Sequence, residues 1–172
     1  LKRNFVTNSS CGVCGKTSLD SIEVIKTNKM DLSCPQIKEK IILSAPKLLM
    51  NEQSEFAKTG GIHASSLVDE NGKTIATRED VGRHNALDKL IGYTITNNLL
   101  NPKNQFVACS GRLNFELVQK GLMANIGVMA GVGAPTSLAI DLAKRFDMTL
   151  LGFVKENSFN IYSNKNRILL SN

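Results

Sequence analysis

The feature that most restricts this chain is the alternation that begins at residue 106. Residues 106–110, 128–131 and 149–154 are short apolar runs, while residues 115–126 and 135–146 carry apolar side chains at helical spacing. A strand-helix-strand-helix-strand order closes through right-handed crossovers onto a largely parallel sheet with buried strands. Open sheets of this kind bind ligands outside the carboxyl ends of their strands. Attention therefore falls on Ser110-Gly111-Arg112 after one strand and on Gly131-Val132-Gly133-Ala134-Pro135-Thr136-Ser137 after the next. Glycines there admit close backbone approach. Thr136, Ser137 and the free amides of a helix start can receive phosphate oxygens, and Arg112 supplies charge. Each loop alone is equally readable as a tight turn with a helix cap. No Gly-Lys-Ser/Thr phosphate-loop motif is present, so nucleoside triphosphate hydrolysis is not indicated.

Upstream, residues 21–26 suit a short strand. Pro35 opens a first helix with Ile37, Ile41 and Ile42 on one face, and Pro46 interrupts it to open a second, through Leu48, Leu49 and Phe56 to Gly60-Gly61. The two should meet at an angle. Residues 62–68 and 73–77 flank Asn71-Gly72, a hairpin signal because both turn residues tolerate positive φ. Asp80 then caps a helix whose apolar positions are Val81, Leu87, Leu90, Ile91 and Ile95. Strands at 161–162 and 168–170 extend an edge. The fold class is thus α/β with a mixed sheet, arranged as residues 1–20, a flexible Cys-x-x-Cys loop segment, and residues 21–172, a single α/β domain.

The 172 residues suit one domain, and a formal charge of +6 favours an anionic partner without reaching that of dedicated nucleic-acid binders. No apolar run is long enough for a membrane helix and no signal-peptide pattern opens the chain, so it reads as cytoplasmic, with neither membrane nor nucleic acid as partner. The chain opens on Leu1, from which a missing preceding region is expected.

Four cysteines are too few for a disulfide framework. Cys11 and Cys14 form a Cys-x-x-Cys pair among small polar residues, and three active readings compete with two inert thiols. Structural zinc needs four ligands, and Cys34 and Cys109 stand apart, so no resident metal is expected. A thioredoxin-like pair would open a helix after a strand, which this one does not. A sulfur-carrying nucleophile fits an accessible thiolate beside Lys16. The two histidines sit in polar settings: His63 follows Thr59-Gly60-Gly61-Ile62, and His84 lies in Arg83-His84-Asn85. Asp80 and Asp88 fall about one helical turn either side of His84, where a carboxylate can fix its tautomer, and Lys89 adds to a cationic edge. A solvated amphipathic face explains the same pattern.

The segments 10–16 (Ser-Cys-Gly-Val-Cys-Gly-Lys), 59–64 (Thr-Gly-Gly-Ile-His-Ala) and 79–89 (Glu-Asp-Val-Gly-Arg-His-Asn-Ala-Leu-Asp-Lys) together resemble the FdhD family of formate dehydrogenase accessory sulfurtransferases. Ser110-Gly111-Arg112, Ala134-Pro135-Thr136-Ser137 and Gly152-Phe153-Val154 continue the likeness in order. The resemblance implies a three-layer α/β/α sandwich like that of cytidine deaminases, a homodimer, and a smaller N-terminal β-rich region, which is expected to be absent here. It implies a sulfurtransferase: a cysteine desulfurase loads a persulfide on Cys11, with Cys14 as partner in transfer. The sulfur then passes to the molybdenum cofactor, bis-molybdopterin guanine dinucleotide, for formate dehydrogenase. The cofactor-binding residues so implied are Arg83, His84, Asn85, Lys89, Ser110, Arg112, Thr136 and Ser137, together with Phe153, Val154, Lys155, Glu156, Asn157 and Ser158. Many members carry Ser where this chain has Gly133, which removes one hydroxyl donor. Deamination is not implied, because His63-Ala64-Ser65 lacks the glutamate that zinc deaminases place there. A non-catalytic cofactor chaperone is the alternative function, and a zinc hydrolase relic built on His63 a third.

Overall fold

The computed structural model describes residues 35–170. The expected strand at 21–26 and the Cys11–Cys14 pair lie outside the described residues. In order the elements are β1 (Ile37–Lys38), α1 (Glu39–Glu52), α2 (Ser54–Thr59), β2 (His63–Asp69), β3 (Thr74–Asp80), α3 (Arg83–Thr96), β4 (Gln105–Cys109), α4 (Phe115–Met123), β5 (Val128–Gly131), α5 (Ser137–Arg145), β6 (Thr149–Gly152), β7 (Asn160–Ser163), a 3-10 turn (Lys165–Arg167) and β8 (Ile168–Leu169).

Six strands form one mixed sheet in the order β3-β2-β4-β5-β6-β7. The β4-β5 and β5-β6 pairs are parallel, as the strand-helix alternation predicts, and β2, β3 and β7 run antiparallel to their neighbours. Every residue of β4, β5 and β6 is buried, because helices cover both faces. On one face Val107, Cys109, Met129 and Leu150 pack with Leu87 and Leu90 of α3, Leu117 and Leu122 of α4 and Leu142 of α5. On the other, Phe106, Ala108, Val128 and Leu151 pack with Ile41, Ile42 and Leu49 of α1. The result is a three-layer α/β/α sandwich.

Four local expectations are corrected. The first helix does not open at Pro35 with Ile37 on its face: Ile37–Lys38 is β1, paired with residues 168–169, and α1 begins at Glu39. Pro46 does not divide the first helix: α1 runs through it and ends at Gln53 (φ −93°, ψ 72°). A proline inside a helix costs about 3 kcal/mol. Burying Ile41, Ile42 and Leu49 returns roughly 1.5–3 kcal/mol for each side chain, which outweighs that cost. Asp80 is the last residue of β3 and not a helix cap; Gly82 holds that position, and Val81 is 75% exposed instead of facing the core. Residues 168–169 do not extend the main sheet but pair in parallel with β1. The hairpin stands, with Gly72 at φ +86° and Asp69 Oδ1 accepting from the amides of Asn71 and Lys73.

Candidate functional site

Strand register brings the conspicuous segments to one edge of the sheet. His63, the first residue of β2, lies opposite Asp80, the last of β3. Ser65 pairs with Cys109, Cys109 with Gly131, and Ala130 with Leu151. The carboxyl ends of β3, β4, β5 and β6 and the start of β2 therefore share that edge. Loops 110–114, 132–136 and 153–159 and the start of α3 rise from it.

Backbone bonds knit the loops together. Ser110 donates its amide to Ala64 O (3.0 Å), and its Oγ accepts the Ala64 amide (2.9 Å). Gly133 N–H donates to Gly111 O, and Phe153 N–H to Gly133 O, both at 3.2 Å. Gly133 is tightly enclosed: a Cβ there would lie 2.8 Å from Arg112 N and 3.0 Å from Arg112 Cα. A side chain in place of Gly133 therefore has no room, and the hydroxyl noted as missing cannot simply be restored. At Gly111 an added Cβ would meet the His63 ring at 3.1 Å and Arg83 Cδ at 3.9 Å, so imidazole and guanidinium flank that turn.

The implied ligand residues have different situations. Arg83 is half-buried, and its Nε is buried without an acceptor. Arg112 and Ser137 are exposed. Thr136 caps α5, its Oγ1 accepting from Ala139 N–H (3.3 Å), so the cap explanation holds at this residue. Phe153 is 44% exposed with φ +52°. Val154 instead packs in the core at 1% exposure. Lys155, Glu156, Asn157 and Ser158 form an exposed turn closed by Lys155 N–H to Ser158 O (2.8 Å).

His84 is where sequence spacing misleads. Its Nε2 lies 3.0 Å from Glu116 Oε2 and 2.9 Å from Asn114 Nδ2, both contributed by the start of α4. Asp80 and Asp88 do not reach it, because α3 starts only at Arg83 and each aspartate pairs with a lysine. Asp80 binds Lys89 and accepts from Gly82 N–H (2.9 Å) and Asn85 Nδ2 (3.2 Å). Asp88 pairs with Lys120. Lys89 and Asn85 are thus turned toward the end of β3. The hydrogen bond from Lys89, then that from the Gly82 amide, brings the Asp80 carboxyl down to about 2. Burial, and after it the Arg83 charge, lowers the His63 pKa and favours neutral imidazole.

Sequence reasoning missed Gln53, Glu79, Asn114 and Glu116. Glu79 accepts from the amides of Glu55 (3.0 Å) and Phe56 (2.9 Å), holding the start of α2 over the sheet edge. Glu79, Asn114 and Glu116 work through partners distant in sequence, which spacing along the chain does not reveal, and Gln53 is marked only by its burial. Among the described residues there is no cluster of three or more His, Cys, Asp or Glu side chains able to hold a metal. No helix among them is long and apolar enough to cross a membrane.

Fold and site together define an α/β/α domain with glycine-containing loops gathered at one sheet edge. The chain belongs to the FdhD/NarQ family, whose sequence model matches residues 1–169. It is 46% identical over 167 residues to the sulfur carrier protein FdhD of Picrophilus torridus, covering 97% of this chain and 63% of that protein. With the sulfur carrier protein FdhD of Streptomyces avermitilis it shares 44% over 171 residues, 99% of this chain and 61% of that one. The chain therefore spans under two thirds of these relatives. A crystal structure of a provisionally assigned formate dehydrogenase accessory protein from Desulfotalea psychrophila superposes with a TM-score of 0.73 at 29% identity, over 83% of this chain and 62% of that one.

Proposed function

We propose that this chain carries sulfur in formate dehydrogenase maturation, taking it from a cysteine desulfurase and delivering it to the molybdenum of a guanine-dinucleotide cofactor. The observation that carries the reading is the match to sulfur carriers, which runs through the positions of Cys11 and Cys14. In the first step the Cys11 thiolate attacks the outer sulfur of the desulfurase persulfide. The new S–S bond forms on Cys11, and the electron pair of the broken bond leaves with the desulfurase cysteine. In the second, the Cys14 thiolate attacks the Cys11 sulfur and the outer atom departs as sulfide to the metal. The resulting Cys11–Cys14 disulfide is reset by an external dithiol reductant.

Arg83 and Arg112, the amides at the start of α5, Ser137 and the 153–158 turn supply the anion-binding side of delivery. His84 contributes by holding the start of α3 against α4. The test is intact mass after incubation with desulfurase and cysteine. A reducible gain of one sulfur in the wild type, lost in Cys11→Ala, is expected. No gain, with both thiols free, overturns sulfur carriage and favours a cofactor chaperone that performs no transfer.

A further inference from the structure

Residues 54–62 join the buried end of α1, where Gln53 is 5% exposed, to the first residue of β2. α2 lies in that stretch, and all six of its residues are exposed, so no burial holds it to the domain. A helix this short does not stand alone in water, because nucleation costs more than so few bonds return. Its bonds from Ala57 N–H to Gln53 O (3.1 Å) and from Gly60 N–H to Phe56 O (2.7 Å) stay within the stretch and its cap. Among the described residues, the hydrogen bonds that tie α2 to another element run from the amides of Glu55 (3.0 Å) and Phe56 (2.9 Å) to the two carboxylate oxygens of Glu79. First-turn amides have no acceptor within their own helix, and one carboxylate can take both at once. Glu79 is itself fixed to the sheet, paired with Ala64 of β2.

Both ends of the stretch are free to turn. Gln53 breaks the helical course at φ −93° and ψ 72°. Gly60 sits at φ +65° with no atom within 4 Å of a would-be Cβ, and at Gly61 the nearest is Thr59 O at 3.9 Å, so nothing wedges the chain there. The stretch borders a cleft of about 470 Å³, with Phe56, Gly60 and Ile62 on its side and Leu49, His63 and Ser110 among the residues opposite. We infer that residues 54–61 form a flap over this cleft and that the Glu79 carboxylate is its latch. The flap opens by pivoting at Gln53 and at Gly60-Gly61 once the two amide-carboxylate bonds break, and the sheet stays intact. Glu79 does not line the cleft; it is a positioning residue that acts on the cleft through α2. The flap works alike for any ligand that the cleft takes.

Amide hydrogen exchange on the full chain, with Glu79→Ala and the isosteric Glu79→Gln, tests the latch, and carbethoxylation by diethyl pyrocarbonate, read by peptide mass, tests access to the cleft. In Glu79→Ala the Glu55 and Phe56 amides should exchange at least roughly 10-fold faster than in the wild type, the effect of losing a hydrogen bond to a charged acceptor. Glu79→Gln keeps one acceptor oxygen and should fall between the two. His63 lies in the cleft, whereas His84 is held by Asn114 and Glu116 outside it, so both variants should speed the reaction at His63 and leave His84 at the wild-type rate. Exchange in β4 and β5 and the melting temperature should stay at wild-type values, because α2 contributes no buried residue. Unchanged exchange at Glu55 and Phe56 in Glu79→Ala overturns the latch. Faster exchange there with unchanged His63 reactivity overturns the flap, since α2 would then not cover the cleft. Faster exchange that spreads into β4 and β5 with a lower melting temperature in both variants makes α2 part of the cooperative core and overturns the proposal as well.

Discussion

The contact between the loops after β4 and β5 makes a quantitative forecast, because two glycines in this chain should respond to the same substitution with opposite signs. In Gly133→Ala the new Cβ would sit 2.8 Å from Arg112 N and 2.9 Å from its Cγ, and the backbone atom cannot rotate away. The loops must separate, which strains the 3.2 Å bonds from Gly133 N–H to Gly111 O and from Phe153 N–H to Gly133 O. Overpacking of this kind costs about 1–3 kcal/mol. At the middle of that range, with about 2–4 °C for each kcal/mol at this chain length, the melting temperature should fall by roughly 4–8 °C. Gly92, within α3, has nothing within 4 Å of its would-be Cβ, so Gly92→Ala should stabilise by about 0.5–1 kcal/mol through helix propensity alone. Thermal melts followed by far-ultraviolet circular dichroism give both values. Equal melting of Gly133→Ala and wild type, or destabilisation by Gly92→Ala, would refute the packing argument.

Two further outcomes follow from titration. Asp80 is held down to about 2 by Lys89 and the Gly82 amide, so its folded-state value lies below the unfolded one. Its contribution is complete above the ordinary carboxylate range and vanishes as pH falls through about 2; the melting gap between wild type and Asp80→Asn should therefore close between about pH 5 and about pH 2, and a constant gap would count against the pairing. Burial raises the Cys109 thiol to about 11, so iodoacetamide at about pH 8 should leave Cys109 unmodified in native protein and alkylate it after unfolding; native labelling at the rate of a free thiol would contradict the fold at β4.

The expected elements that held are those in which local pattern and tertiary demand agree. The runs at 106–110, 128–131 and 149–154 became β4, β5 and β6 to within a residue or two, because a strand buried on both faces must be apolar throughout. The hairpin held because its turn chemistry is contained in Asp69, Asn71 and Gly72. Pro46 misled because helix propensity is a local quantity, whereas the apolar face of α1 is stabilised by the sheet. His84 misled because its partners, Asn114 and Glu116, arrive on another helix. Arg167 is wholly buried with Nη1 donating to Asp147 O, and nothing around it in sequence marks it as a core residue.

The sequence by itself determined the α/β class and the parallel centre of the sheet, since periodicity, turn residues and strand order are properties of neighbouring residues. Chain order also carried the family likeness, including Cys11 and Cys14. Only the tertiary structure decided which polar groups are satisfied and which remain open. Lys89 is committed to Asp80 and Thr136 to a helix cap, while Gln53 Nε2 and Arg83 Nε remain buried without acceptors. Hydrogen-bond satisfaction depends on where distant backbone places each partner, and that placement is set by packing across the sheet.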